Sequence, residues 1–150
     1  MSAPWRLAAA AVIGIAAAAS SHFLLLAQDT KLSVWDGVYT LDQAKRGQAS
    51  YNEQCATCHG DQLTGGESAP ALAGGEFLSN WNGLSVYELF DRIRKTMPEN
   101  KPGRLSREMT ADIVAYIFAV NQFPTRKAEL PPSDEMLKTI RIDMSKPEKK

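Results

Sequence analysis

The two cysteines of this 150-residue chain lie three positions apart, and a histidine directly follows the second. Together they form the run Cys55-Ala56-Thr57-Cys58-His59. Side chains three positions apart are neighbours on one turn of a helix, so this spacing places both sulfur atoms side by side. The fold must therefore bring two thiols and one imidazole to the same place.

Cys-x-x-Cys-His is the attachment signature for haem c, in which two thiols form thioethers with one porphyrin edge and the histidine turns toward the iron. A structural zinc site is one alternative, but it requires four ligands, and beyond residue 27 only His59 accompanies the two cysteines. A thioredoxin-like pair would need a βαβ setting, which the sequence does not show. A disulfide would leave the adjacent histidine without a role. The motif therefore predicts one covalently bound haem c at Cys55, Cys58 and His59.

A methionine is the expected second axial ligand, because His59 is the only histidine after residue 27 and a thioether sulfur is a natural partner for haem iron. Met97 is the predicted ligand. It follows a predicted helix and precedes Pro98, which favours an extended backbone at Met97. A packing role is the alternative for Met97. Three further methionines lie at a polar helix start or in the tail: Met109, Met136 and Met144.

A second group of residues is expected around the ligands. An iron-ligating histidine normally donates its other ring N–H to a carbonyl, and the segment around Pro70 is the predicted source; a simple turn proline is the alternative. Trp81, Arg92 and Arg94 are candidates to meet the haem propionates, although a solvated face is the commoner position for arginine. The residues expected to line or flank the pocket, or to belong to the ordinary core, are Trp81, Tyr87, Phe90 and Ile93.

Three helices are predicted, each opened by a residue that can cap its first turn. They cover residues 41–55, 86–95 and 107–121. The first two begin with the spacing of a capping box, at Thr40 with Gln43 and at Ser85. Glycine in the middle of a helix costs about 1 kcal/mol relative to alanine. Gly47 therefore indicates a close approach of another helix, with Tyr116 as the expected contact.

The remaining segments lack sustained helical periodicity. Residues 28–39 are polar and are predicted to be irregular. Residues 60–83 are rich in Gly, Ser, Ala, Pro and Asn and are predicted to form a loop. The segment 124–150 is predicted to be an extended tail that lies on the domain and frays at its end. The expected central domain is therefore residues 40–123.

The first 27 residues resemble a secretory leader, with a basic start, an apolar run and a small residue, Ala27, before a polar chain. An uncleaved membrane anchor is the alternative, because the apolar run is nearly long enough to cross a bilayer. In both cases the rest of the chain is exported, which predicts a periplasmic or other extracytoplasmic location. The 17 basic and 17 acidic residues balance, so no nucleic acid is expected as a partner.

Residues 40–121 resemble the class I cytochrome c family. The residues that carry the resemblance are Gly47-x-x-x-Tyr51, Cys55-x-x-Cys58-His59, Pro70, Met97-Pro98 and Ala115-Tyr116-Ile117. The resemblance implies an all-α fold of three main helices around one haem, with His59 as proximal and Met97 as distal ligand. More loosely, residues 121–124 and 129–131 are similar to those of small cytochromes that accept electrons from quinoprotein dehydrogenases. The long tail after Pro124 departs from a minimal cytochrome c.

These features predict a one-electron carrier rather than an enzyme. With His59 and Met97 on the iron, no position remains for a substrate, and the sequence shows no separate general acid or nucleophile. The expected partners are redox proteins: a dehydrogenase as donor, and an oxidase or another protein as acceptor. Two alternatives remain open: a haem enzyme or gas-binding protein with an open iron site, and a membrane-anchored cytochrome subunit of an oxidoreductase complex.

Overall fold

The computed structural model describes residues 32–67 and 69–148, so the predicted leader lies outside the described residues. The helices are α1 (Leu41–Gln54), α2 (Ala56–His59), α3 (Gly74–Trp81), α4 (Val86–Thr96), α5 (Arg107–Val120) and α6 (Asp134–Lys138). Two short strands, β1 (Leu32–Ser33) and β2 (Ile140–Arg141), pair in parallel. The all-α prediction is confirmed. Within the described ranges, no helix is long and apolar enough to span a membrane.

The first and last long helices cross at Gly47. A Cβ atom added at Gly47 would lie 1.8 Å from the backbone oxygen of Asp112 and 3.0 Å from Cβ of Tyr116. Only a residue without a side chain lets the two backbones come this close. Beside the crossing, the Tyr51 and Tyr116 rings have their centroids 5.3 Å apart. The predicted close approach is therefore confirmed, and the backbone of α5 is the nearest neighbour.

The predicted helix starts are confirmed, with one difference at α1. The Thr40 side chain accepts a hydrogen bond from the Gln43 N–H at 3.1 Å, as a cap does. The Gln43 amide group does not complete the predicted capping box. It bonds instead to the backbone of Leu130, accepting from its N–H at 2.7 Å and donating to its carbonyl at 3.0 Å. The helix α4 does begin with a complete capping box, formed by Ser85 and Glu88.

The loop predicted for residues 60–83 is wrong for its second half, where α3 forms. The first N–H of α3, from Gly74, donates to the Asn121 side-chain oxygen at 3.0 Å. The helix buries Phe77 completely. The hydrogen bond comes from a residue distant in sequence, and burial of an aromatic side chain outweighs the poor helix propensity of a segment that begins with two glycines.

The extended tail predicted for residues 124–150 is also wrong for residues 134–138, which form α6; the following residues 140–141 are extended, in β2. The tail contributes four residues to the hydrophobic core: Leu130, Leu137, Ile140 and Ile142. The N-terminal segment, predicted to be irregular, contributes Val34, Val38 and Tyr39. These two segments pack together because each supplies the apolar surface that the other needs to bury.

Candidate cofactor site

The two cysteines lie where α1 ends and a single further turn of helix begins. Cys55 interrupts the helix with φ −128° and ψ −34°, while its N–H still donates to the Tyr51 carbonyl at 2.8 Å. The N–H groups of Cys58 and His59 both donate to the Cys55 carbonyl, at 3.1 and 3.0 Å. This turn places both thiols and the imidazole at the end of the helix that crosses α5.

The two thiols have different environments. Cys58 is exposed, whereas Cys55 is partly buried. Burial raises the pKa of the Cys55 thiol to about 11, and the neighbouring Cys58 adds to the effect. Cys55 is therefore a neutral thiol at neutral pH before any thioether forms.

His59 is oriented by a carbonyl in the loop that follows it. The imidazole is buried, with 7% of its surface exposed, and its Nδ1 lies 2.8 Å from the Pro70 carbonyl oxygen. When Nδ1 carries the proton, it donates to this carbonyl and leaves Nε2 for a metal. The structure thus brings together His59 and the segment that the sequence proposed as its partner.

The loop between His59 and Pro70 is folded tightly enough to hold that carbonyl in place. The Gly65 N–H donates to the His59 carbonyl at 2.9 Å, and the Leu72 N–H donates to the Leu63 carbonyl at 2.8 Å. A Cβ at Gly65, where φ is +73°, would lie 2.5 Å from the Ala71 nitrogen. Glycine is required at this position for both its backbone angle and its lack of volume.

A cavity of about 540 Å³ lies beside this turn, which falls in the size range of small-molecule and cofactor pockets. The residues predicted to bind the cofactor all line it: Cys55, Cys58, His59, Pro70, Trp81 and Met97. Much of the remaining wall is apolar and comes from the loops that flank α3 and from α4 and α5, with Leu72, Leu84, Leu89, Ile93, Ile113 and Ile117. Two sulfur attachment points, an oriented imidazole and a thioether around one apolar cavity fit haem c.

Met97 is the methionine that reaches this cavity. It lies directly after α4 with φ −115° and ψ 153°, the extended conformation expected before a proline. The other three methionines within the described residues are exposed and do not line the cavity: Met109 at 36%, Met136 at 49% and Met144 at 44%.

Of the aromatic and basic residues predicted near the cofactor, some line the cavity and others do not. Arg92 lines the cavity and Arg94 does not, so the role in meeting propionates stays a prediction for both, with a position beside the cavity in support of Arg92. Tyr87 and Phe90 also face elsewhere. The Lys138 ammonium lies 4.6 Å from the centre of the Tyr87 ring, and the Arg107 guanidinium lies 5.0 Å from the centre of the Phe90 ring.

Sequence reasoning missed Asn121, which connects α5 to the loop that carries Pro70. Its side-chain oxygen accepts from the Gly74 N–H at 3.0 Å, and its side-chain nitrogen donates to the Leu72 carbonyl at 3.0 Å. An asparagine at a helix C-terminus is a common capping residue, so the sequence offered a local signal. No signal in the sequence indicated that Asn121 would bond to the distant loop at Leu72 and Gly74.

Comparison with known proteins places these observations in a family. The model of the family described as cytochrome c oxidase, cbb3-type, subunit III matches residues 42–117, slightly more than half of the chain. A solved structure, the sulfane dehydrogenase SoxCD from Paracoccus pantotrophus, is similar at 26% identity with a TM-score of 0.46. The match covers 60% of this chain and 53% of that chain, so this chain spans about half the length of the one it matches. Among curated proteins no significant match was found.

Proposed function

The chain belongs to the family described as cytochrome c oxidase, cbb3-type, subunit III, and on this premise we propose that it is an exported, monohaem one-electron carrier. It is a class I c-type cytochrome, and electron transfer is the activity of such a domain. The number of haems, the compartment and the partners are the parts that we propose.

One observation carries the proposal: the predicted attachment and ligand residues, which are distant in sequence, line the same cavity. Cys55 and Cys58 would hold haem c covalently, and His59 and Met97 would ligate its iron. When bound, haem c supplies an iron that takes up and releases one electron at a time. A single Cys-x-x-Cys-His motif in the chain supports a single haem.

The chain's own residues limit what that iron can do. The Pro70 carbonyl keeps the His59 ring in one orientation and makes the imidazole a better donor. The apolar wall, with Leu89 and Ile113 fully buried, excludes water from the centre of the site. With His59 and Met97 both holding the metal, no position on it would remain for a substrate. This arrangement supports a carrier rather than a haem enzyme.

The exposed part of the site suggests where partners bind. Cys58 is exposed, whereas His59 is buried. The cofactor site is therefore open to the protein surface beside Cys58. We propose that a dehydrogenase, of the quinoprotein class that the resemblance implies, donates electrons and that an oxidase or another protein accepts them. The leader predicted for residues 1–27 supports a periplasmic location, with membrane attachment only if it is retained.

Spectroscopy of the exported haem protein tests the carrier proposal. A sulfur ligand on oxidised haem iron gives a weak near-infrared absorption, and a filled sixth position makes the reduced protein slow to bind carbon monoxide. We expect both results. Rapid carbon monoxide binding without the near-infrared band would favour the open-site alternative and contradict the proposal.

Cell fractionation tests the proposed location independently. We expect the mature protein in the soluble extracytoplasmic fraction, with residues 1–27 removed. Mature protein that retains Met1 and is extracted only from membranes would favour the anchored-subunit alternative.

A further inference from the structure

The tail after α6 is hydrogen-bonded to the connection between α3 and α4. The Gly83 N–H donates to the Ile142 carbonyl at 2.7 Å, and the Ile142 N–H donates to the Leu84 carbonyl at 2.8 Å. The Met144 N–H donates to the Asn82 side-chain oxygen at 2.8 Å. We call these three hydrogen bonds, between residues 82–84 and 142–144, the tail clamp.

The tail side of the clamp is itself fixed to the N-terminal segment. The strands β1 and β2 pair in parallel, and the Trp35 indole N–H donates to the Asp143 carbonyl at 2.9 Å. Ile142 is completely buried. The backbone hydrogen bonds and the buried Ile142 side chain hold residues 142–144 in a fixed position.

What the tail clamp holds is a wall of the cofactor cavity. Trp81 and Leu84 both line the cavity, and the clamp bonds to Leu84 itself and to the two residues between them. Leu84 is 37% exposed, so packing alone does not fix its position. The hydrogen bonds to the tail therefore fix the backbone position of Leu84.

We propose that the tail clamp positions Trp81 and Leu84 over the cavity and thereby limits the access of water to the bound cofactor. This inference rests on the proposed function. Water stabilises the more highly charged, oxidised state of a haem site, whereas a dry apolar surrounding favours the reduced state. A protein whose clamp is broken should therefore have a lower reduction potential. The tail that distinguishes this chain from a minimal cytochrome c acquires a role in setting that potential.

Two substitutions in the full-length haem protein break the same hydrogen bond from opposite sides. Asn82→Ala removes the acceptor, and Met144→Pro removes the donor N–H. Met144→Ala is the matched control, because it keeps the N–H and removes only an exposed side chain. Gln43→Ala is a second control, since it breaks a tail contact, to Leu130, that involves no residue lining the cavity.

The reduction potential and the thermal midpoint of unfolding are measured for each protein. We expect Asn82→Ala and Met144→Pro to shift the potential to lower values, and Met144→Ala and Gln43→Ala to leave it unchanged. Gln43→Ala should lower the unfolding midpoint, because it leaves buried backbone groups unpaired. A purely structural tail would change unfolding midpoints alone.

The inference is overturned if Asn82→Ala keeps the wild-type potential, or if Gln43→Ala shifts it as much. Asn82 is an exposed residue, so its variant decides the matter even if Met144→Pro does not fold. Failure of the proposed function is distinguishable: a wild-type protein without covalent haem contradicts that function and the inference with it. Wild-type haem protein with an unaltered potential in the Asn82 variant contradicts the inference alone.

Discussion

At the scale of single residues, the site depends on how two ligand candidates are held. His59 is buried, and its Nδ1 lies 2.8 Å from a carbonyl that belongs to a tightly folded loop. Met97 has an extended backbone at the end of α4, and α4 also supplies Ile93 and Leu89 to the cavity wall. One ligand is thus oriented by a hydrogen bond, and the other by its place in the chain.

Met97→Ala should lower the reduction potential and let the reduced protein bind carbon monoxide. The reason is that a methionine ligand favours the reduced iron and occupies the sixth position. The expected shift is a substantial part of the roughly 0.8 V over which axial ligands tune haem proteins. Potentiometry and carbon monoxide titration measure the two effects.

Met109→Ala is the matched control, because Met109 is 36% exposed and does not line the cavity. It should change neither property. If Met109→Ala altered the potential and Met97→Ala did not, the ligand assignment would be wrong.

At the scale of helices and strands, the molecule is organised by the crossing of α1 and α5 and by the docking of α6. At the crossing, Gly47 lies against the backbone of Asp112, while the Arg46 guanidinium bonds to Asp112 and to Glu129 at 3.0 Å. Glu129 therefore attaches the tail to α1. At α6, the Asp134 carboxylate forms an ion pair with Arg107 at the start of α5.

Gly47→Ala should destabilise the protein by about 3 kcal/mol or more. Its Cβ would lie 1.8 Å from the Asp112 oxygen, and two long helices would have to separate to accommodate it. Chemical denaturation measures the change in the free energy of unfolding.

Gly75→Ala is the control for the same change of residue. Gly75 lies in α3, and a Cβ there would meet nothing within 4 Å. Alanine has the better helix propensity, so this variant should be stabilised by up to about 1 kcal/mol. Equal losses in the two variants would refute the account of the crossing.

The ion pair at α6 predicts a dependence of stability on pH. The hydrogen bond from Arg107 lowers the pKa of Asp134, so the pair stabilises the fold above the carboxyl's unfolded pKa of about 4. That stabilisation is lost as pH falls through the lower, folded-state pKa. The unfolding midpoint of the wild type should exceed that of Asp134→Asn at pH 7, and the difference should narrow as the pH falls below about 4. A difference that did not narrow in acid would mean that the ion pair is not its source.

At the scale of the whole molecule, the sequence predicted the parts whose signals are local. The haem-attachment motif and the caps at Thr40 and Ser85 each have their structural consequence within a few residues. The mid-helix Gly47 is a local signal too, although the helix that it admits is distant in sequence. The all-α class and the three long helices follow from such signals, and the structure confirms them.

The parts that sequence reasoning missed depend on contacts between residues that are far apart in the sequence. Gln43 has the spacing of a capping box, yet its amide pairs with Leu130 because the tail passes within reach. The start of α3 depends on Asn121, which lies on another helix. The apolar residues of the tail are separated by prolines and charges, so they show no helical or strand period. These residues are buried because the tail packs against the N-terminal segment and α4, and no local pattern in the tail indicates that packing.

The mass of the mature, exported protein tests the central claim most directly. The account predicts a mass that exceeds that of the polypeptide by one haem, retained under denaturing conditions because Cys55 and Cys58 are bonded to it. A colourless protein with the mass of the bare chain, in which an alkylating reagent modifies both thiols, would contradict the account.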